Sequence, residues 1–229
     1  MIDIHSHILP RVDDGSASPE ETVKLLEMSR AQGVTHMVAT PHFYADKDSP
    51  ERFLARRQKA LERFTVDPAT MPQLLVGAEV AYFKGMSGCE DLIPMAFGSA
   101  ELLLVEMPFA PWTDRIVEDV LAIHRQLGLQ PVLAHVERYS GANQFFHYRD
   151  RLLGGGVLFQ CNAAAFLSFF GSRRYLELLE EGQLHFLGSD CHNTGSRPPK
   201  LDQAAKVIEK KLGRQWLEDL NAFSLSQLL

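Results

Sequence analysis

Met1-Ile2-Asp3-Ile4-His5-Ser6-His7-Ile8-Leu9-Pro10-Arg11-Val12-Asp13-Asp14 sets two histidines and three acids around short apolar runs. Its apolar start predicts a short strand. Residues two apart on a strand point to the same face, so His5 and His7 arrive side by side. Two imidazoles on one face can share a metal ion. Beyond Pro10, Gly15 and Ser16 let the chain turn and bring the Asp14 carboxylate back toward the pair. Paired histidines on a strand are also ordinary surface residues, so the weight of the reading falls on the rest of the chain.

Working outward, six further apolar runs follow: Thr35 to His42, Leu74 to Val80, Glu101 to Met107, Gln130 to Val136, Gly156 to Asn162 and Leu184 to Asp190. Successive runs start 26 to 39 residues apart, close to the roughly 30 residues of a strand-helix-strand unit. Helical punctuation falls between them. Ser18, Pro19 and Glu21 open a helix that ends before Gly33, and Ser49 with Pro50 opens one to about Phe64. Thr113 caps a third, with Ile116, Val117, Val120, Leu121 and Leu127 as its apolar stripe and Gly128 as its stop. Others are expected at about 143 to 153, 172 to 181, 200 to 212 and 214 to 222. Tyr82 to Ser99 yields no clear assignment. Seven strands alternating with helices predict an α/β fold with a parallel sheet in one domain spanning 1–229.

Composition agrees with a globular domain. The 229 residues are 45% hydrophobic and 23% charged, with a formal charge of -6. An acidic chain argues against a general nucleic-acid binder. No apolar run approaches the length of a membrane span, and Met1 already opens a strand where an export signal would stand. Cys89, Cys161 and Cys191 form no metal-binding spacing, which suggests reduced thiols and a cytoplasmic setting. Arg52, Arg56, Arg57, Lys59 and Arg63 form a basic stripe, read as a solvated helix face.

The polar residues fall at strand ends. His5, His7, His42, Glu79, Glu106, His135, Asp190 and His192 all close an apolar run, at the carboxyl edge where parallel sheets build their sites. Glu79 in Leu-Leu-Val-Gly-Ala-Glu-Val and Glu106 in Leu-Leu-Leu-Val-Glu-Met would be costly in apolar strands unless paired or metal-bound. With Asp14 the set is five histidines and four carboxylates, nine nitrogen or oxygen ligands, more than one ion can take, so two or three ions are implied. His36, His124, His147 and His185 begin a strand, lie in a helix or sit in loops, and read as surface or internally satisfied histidines.

These residues resemble the polymerase and histidinol phosphatase (PHP) superfamily of metal-dependent phosphoesterases. His-Ser-His at 5 to 7, Thr-Pro-His at 40 to 42, Gly-Ala-Glu at 77 to 79, Ala-His-Val-Glu-Arg at 134 to 138 and Ser-Asp-Cys-His at 189 to 192 match its motifs in order. Within it, Asp13-Asp14-Gly15, the Glu106 strand, His-Val-Glu-Arg-Tyr at 135 to 139 and Arg197-Pro198-Pro199 resemble the bacterial manganese-dependent tyrosine phosphatases of capsule and exopolysaccharide synthesis, the CpsB/CapC-like group. The resemblance implies a distorted seven-stranded parallel (β/α)7 TIM-like barrel, the PHP fold. It also implies three divalent metal ions: one on His5, His7, Glu79 and Asp190; one on Glu79, Glu106 and His135; one on Asp14, His42 and His192. Manganese is the expected metal, and iron, zinc or cobalt would suit the same donors. Arg138 and Arg197 match the arginines that grip the phosphoryl group. The implied substrate is a phosphotyrosine protein, a bacterial tyrosine kinase of capsule synthesis, with no nucleic acid, no membrane insertion and a homo-oligomer left open. The alternative is a small-molecule phosphatase such as one for histidinol phosphate; a metal-loaded module without turnover is a third. The chain departs from the pattern in being short between Ala165 and His185.

Three divalent ions and four carboxylates leave a net charge of about +2, complementary to a phosphate monoester of about -2. Phe43, Tyr44, Tyr82, Phe83, Phe109, Trp112 and Tyr139 follow site motifs, and some could stack on a phenyl leaving group. One decoy is present. Cys191-His-Asn-Thr-Gly-Ser-Arg197 has the spacing of cysteine-dependent tyrosine phosphatases, but Pro198 and Pro199 follow where that chemistry needs a helix start. Replacing the thiol in Cys191→Ser should leave most phosphatase activity intact, whereas a chelator should remove it; the opposite pattern would reject metal chemistry.

Overall fold

The computed structural model describes residues 1–139, 144–168 and 172–229. Within them the seven apolar runs become nine strands, because two runs are divided. The first run forms β1 (Ile2–Ser6). The second forms β2 (His36–Ala39) and β3 (His42–Phe43), parted at Thr40 and Pro41, where proline has no N–H to give the ladder. The third forms β4 (Gln73–Val76) and β5 (Glu79–Ala81). β6 (Leu102–Glu106), β7 (Gln130–Leu133), β8 (Leu158–Asn162) and β9 (Phe186–Gly188) complete the set.

All ladders between these strands are parallel. They form a three-stranded sheet, β1-β2-β4, and a curled six-stranded sheet, β3-β5-β6-β7-β8-β9. The seven continuous staves expected from the sequence are thus two sheets, since the second halves of the divided runs pair separately from the first halves. Hydrogen bonds carry the backbone across the divisions, from Gly77 N to Ala39 O (2.9 Å) and from Glu79 N to Pro41 O (3.1 Å). Others join the first strand to the end of the last: Asp190 N donates to His5 O (2.8 Å) and His7 N to Cys191 O (2.9 Å).

The helices begin where their caps predict. α1 (Pro19–Ala31) opens with the Ser18 side chain accepting from Glu21 N, and α2 (Pro50–Leu61) with Ser49 accepting from Arg52 N. α3 (Asp114–Leu127) starts at Thr113 and stops at Gly128, whose φ of 75° suits glycine. α4 (Gln144–Gly154) is described from its second expected residue, position 143 lying outside the described residues. A short α5 (Ala163–Phe166), α6 (Ser172–Glu180), α7 (Leu201–Leu212) and α8 (Arg214–Leu228) follow. Part of the short Ala165 to His185 segment, 169–171, lies outside the described residues. α8 outruns its expected end at 222, because Leu225 and Leu228 pack with Ile2, Ile4 and Phe186.

Burial follows strand parity. In β6, Leu103 and Val105 join the large core under the helices, while Leu102 and Leu104 face a smaller cluster with Val132 and Phe186. Both faces are covered, as parallel sheets require. The unassigned stretch after Tyr82 proves to be two short 3₁₀ helices, Met86–Gly88 and Glu90–Met95. A single carboxylate from α3 organises its start: Asp119 accepts from Gly85 N (2.7 Å), Ser87 N (3.3 Å), Ser87 Oγ (2.6 Å) and Tyr82 Oη (3.2 Å). The basic stripe of α2 is also divided. Arg57 turns inward and donates to Gly77 O (2.8 Å) and Pro94 O (2.9 Å), so Arg52, Arg56 and Lys59 share the outer face, and Arg63 lies in the turn past the helix end.

The four remaining histidines stand apart from the strand ends that gather the other five. His185 is internally satisfied, as expected: its Nδ1 accepts from Phe159 N (3.1 Å). Burial lowers its pKa from 6.5 to about 4. A depressed folded pKa gives stability that is full above pH 6.5 and lost as pH falls toward 4, because the unfolded chain takes up the proton first. Allowing for partial solvent contact, the loss should reach about 2 kcal/mol. Urea titrations between pH 7 and pH 4 should show this slope, flattened in His185→Gln.

Candidate metal centre

The nine side chains singled out in the sequence converge at one edge of the sheets. His5 lies in β1 and His7 just beyond it, Glu106 ends β6, and His135 and Asp190 each follow their strands by two residues. His42 and Glu79, expected to end their strands, instead begin β3 and β5, which pair through these two residues. His135 and Asp190 adopt φ of 34° and 50°, a left-handed conformation that non-glycine residues seldom take. Such backbone persists only where surrounding bonds dictate it. His135 N donates to Gln160 Oε1 (2.7 Å) and Asp190 N to His5 O (2.8 Å).

Glu79 is the hub. Its Oε2 lies 3.2 Å from His5 Nε2, 3.2 Å from His7 Nε2 and 3.0 Å from His42 Nδ1. Its Oε1 is 2.7 Å from His135 Nε2, which is 3.4 Å from Glu106 Oε1. Asp190 Oδ1 stands 3.7 Å from His5 Nε2 and 3.3 Å from His7 Nε2. Asp14 is the outlying member: exposed, it places Oδ1 3.7 Å from His42 Nε2 and 3.5 Å from His192 Nε2. Among the described residues, three groups have donor atoms within 4.8 Å of one another: His7, Asp14, His42 and His192; His5, His7 and Asp190; His42, Glu79 and Glu106.

Three further polar residues, which the sequence reading did not single out, orient these donors. Asp13 Oδ2 holds His7 Nδ1 at 2.7 Å and accepts from His42 N at 2.9 Å. Gln160 Oε1 holds His5 Nδ1 at 3.0 Å, its Nε2 donates to Asn162 Oδ1 (2.9 Å), and Asn162 Nδ2 donates to Asp190 Oδ2 (2.9 Å). Fixing one ring nitrogen leaves the other with a lone pair aimed at the centre. The signal was present: Gln160 and Asn162 are polar at alternate positions of an otherwise apolar strand, and Asp13 precedes a chosen residue. Two glycines let the donors sit this close. A Cβ on Gly15 would lie 2.0 Å from His7 O, and one on Gly188 would lie 2.6 Å from His5 Cβ.

The donor set fits a cation. His5, His7, Glu79 and His135 are fully buried, yet Glu79 Oε2, His42 Nδ1 and His192 Nε2 find no hydrogen-bond partner despite their close neighbours. Buried polar atoms left this way need an explanation, and a cation supplies it. The electrostatics agree. Burial opposes ionisation of Glu79, but the close imidazoles of His5, His135 and His42 hold it well below the usual carboxylate range. Burial likewise opposes charge on Asp13, and its bond to His7 holds it at about 2. Burial would lower the His7 pKa, but Asp13, Asp190 and Glu79 raise it well above normal. The cluster thus calls for positive charge at its centre, which a proton or a metal ion can supply.

Asp190 faces two ways. While Oδ1 meets the histidines, Oδ2 accepts from Arg138, from Arg197 Nη2 (2.9 Å) and from Asn162. Both guanidinium groups border a cleft of about 130 Å³ with Ser196 and Lys200. The cysteine decoy fails on geometry. Cys191 is fully buried, and burial, then Asp3, pushes its thiol pKa up. Backbone N–H groups of the following loop turn instead onto Asn193 Oδ1, from Gly195 (3.0 Å), Ser196 (2.7 Å) and Arg197 (3.1 Å). Of the rim aromatics, Phe43, Trp112 and Tyr139 are buried, whereas Phe109 is 60% exposed and its ring stacks 6.3 Å from that of His135.

Comparison with known proteins gives the same picture. The chain is 31% identical to the tyrosine-protein phosphatase CpsB of Streptococcus agalactiae, over 94% of this chain and 92% of that protein. It is 26% identical to the tyrosine-protein phosphatase YwqE of Bacillus subtilis, over 94% and 86%. Among solved structures it matches one from a study of YwqE from B. subtilis and CpsB from Streptococcus pneumoniae, described as unique metal-dependent tyrosine phosphatases. That match has a TM-score of 0.79 at 24% identity, covering 100% of this chain and 96% of that one. A TatD-family hydrolase from Entamoeba histolytica shares the fold more distantly, with a TM-score of 0.53 at 11% identity over 100% and 98% of the two chains. The family model for capsular polysaccharide synthesis, CpsB/CapC, matches residues 1–229, and this chain belongs to that family.

Proposed function

We propose that the chain is a metal-dependent protein tyrosine phosphatase that hydrolyses phosphotyrosine monoesters, its substrate a bacterial tyrosine kinase of capsule or exopolysaccharide synthesis met in the cytoplasm. The observation that carries this reading is the buried Glu79 carboxylate, ringed by imidazoles with one oxygen unpartnered. The names of its relatives support phosphotyrosine as the substrate. We read the two sheets, joined from β1 to the end of β9, as one distorted seven-stave barrel, and residues 1–229 as a single catalytic domain. No helix among the described residues is long and apolar enough to cross a membrane.

From the family resemblance we assign three ion positions: His5, His7, Glu79 and Asp190; Glu79, Glu106 and His135; Asp14, His42 and His192. The donor atoms support this in part, with His7 also beside Asp14, His42 and His192, and His42 beside Glu79 and Glu106. Manganese is our assignment, with iron, zinc and cobalt compatible with the same nitrogen and oxygen atoms. Bound divalent ions would supply Lewis-acid charge and ready deprotonation of water at neutral pH. The chain's own residues do the rest. Asp13 and Gln160 keep His7 and His5 in the orientation that presents Nε2. Arg138 and Arg197, anchored through Asp190 Oδ2, border a cleft of about 130 Å³, where their planar guanidinium forks would grip the oxygens of a phosphoryl group. Phe109 offers an exposed ring at the rim for the phenyl group. A phenolate, with a conjugate-acid pKa of about 10, departs without a dedicated general acid.

The deciding experiment measures hydrolysis of an aryl phosphate, a phosphotyrosine peptide and histidinol phosphate by protein stripped with chelator and then given each divalent ion. Activity should vanish on stripping, return with manganese, and favour the aryl substrates. Faster turnover of histidinol phosphate would make this a small-molecule phosphatase, and no turnover with any ion would leave a binding module. Asp13→Asn should weaken divalent-ion affinity about 10- to 100-fold by titration calorimetry. An unchanged affinity would remove Asp13 from the positioning role.

A further inference from the structure

We propose that the concave face between α2 and the Pro10–Arg11 turn is a docking groove for an acidic peptide segment adjoining the phosphotyrosine, a proposal that rests on the phosphotyrosine reading above. Two clefts meet there. The first, about 400 Å³, is lined at the metal centre by Asp13, Asp14, His42 and Tyr44 and also by Lys47, Asp48, Arg52 and Arg56, so its charge is mixed. Arg52 and Arg56 also line a second cleft of about 480 Å³, whose other charged lining residues are Arg11, Lys59 and Arg63. Among the described residues, no acid lines the second cleft.

Five cations on one concavity are notable in a chain with a net charge of -6. Their placement follows from the helix period. Phe53 and Ala60 are buried and pin α2 to the core, which turns positions 52, 56 and 59 outward in one row, and Arg63, in the turn just past the helix end, lines the same cleft. Like charges one turn apart repel, so the row is unfavourable without an anion. Asp48 relieves only the end nearest the metal centre, where it meets Arg56 and lies 3.5 Å from Arg52 Nε. Lys59 and Arg63 make no ion pair of the kind Asp48 provides among the described residues.

Shape and continuity select the occupant. A groove accepts a single extended chain, whereas a bilayer surface meets a flat or convex patch. The first cleft is bordered by the candidate ligands Asp14 and His42 and shares Arg52 and Arg56 with the second, which puts the basic cleft next to the metal centre. At about 1.5 Å per helical residue, Arg52 to Lys59 spans about 10 Å, the length of roughly three extended residues. The recognised carboxylates therefore lie within a few positions of the phosphotyrosine.

The test compares two phosphotyrosine peptides, with Asp and Glu or with Ser and Gln at the flanking positions, using para-nitrophenyl phosphate as a reference that cannot reach the groove. The metal-loaded wild type should favour the acidic peptide about tenfold in kcat/KM at low salt. Lys59→Glu with Arg63→Glu should abolish that preference and leave para-nitrophenyl phosphate hydrolysis unchanged; Lys59→Ala with Arg63→Ala should do so in part. Equal rates for the two peptides, or a preference that survives both variants, would overturn the proposal. So would binding of phosphatidylglycerol vesicles lost in the variants without any peptide preference, which would make the patch a membrane contact. Anisotropy of the labelled acidic peptide separates the two readings: if no substrate is hydrolysed, the phosphatase reading falls, and binding weakened by the charge reversal still supports the groove while unchanged binding rejects it.

Discussion

A carboxylate buried at the junction of the two sheets governs the arrangement of its neighbours. Glu79 is fully buried, and burying an ionised acid is tolerable only among compensating charges. The chain meets the requirement by bringing four imidazoles to it from three places: His5 and His7 from β1 and the residue just past it, His42 from β3, and His135 from beyond β7. Each of those imidazoles needs its own support. Asp13, Gln160 and the close backbone at Gly15 and Gly188 are the consequences of that need.

Much of this was legible because the chemistry leaves marks that local patterns cannot explain away. A glutamate in an apolar run, as at 79 and 106, has few readings. The helix caps at Ser18, Ser49 and Thr113 are short-range devices and were read correctly. What stayed hidden depends on long-range geometry. Pro41 was visible, but its effect, dividing a run so that its halves pair in different sheets, depends on which strands lie alongside. Asp119 could not be linked to the loop after Tyr82 without knowing that α3 packs there. Arg57 looked like its neighbours on the stripe until two carbonyls came within reach of it. Asp13 illustrates the same limit at the site: of two adjacent acids, only the fold decides which is inside.

The left-handed backbone at His135 and Asp190 links architecture to chemistry. Strands deliver side chains to alternate faces, so a residue past a strand end must depart from the pleat to turn its side chain back over the sheet edge. Both residues do this, and both are held in place by neighbours within the site. Local strain is thereby converted into preorganisation, the arrangement expected where donors must be in place before a ligand arrives.

The bonds joining β1 to the segment after β9 also bear on biosynthesis. During translation His5 and His7 leave the ribosome long before Asp190 and His192, and the first strand has an unsatisfied edge until the last one emerges. A partly made chain therefore displays two paired histidines and an open edge with no counterpart. The N-terminal motif gains these hydrogen bonds only once the C-terminal third is present, so completion of the site is a late, whole-chain event.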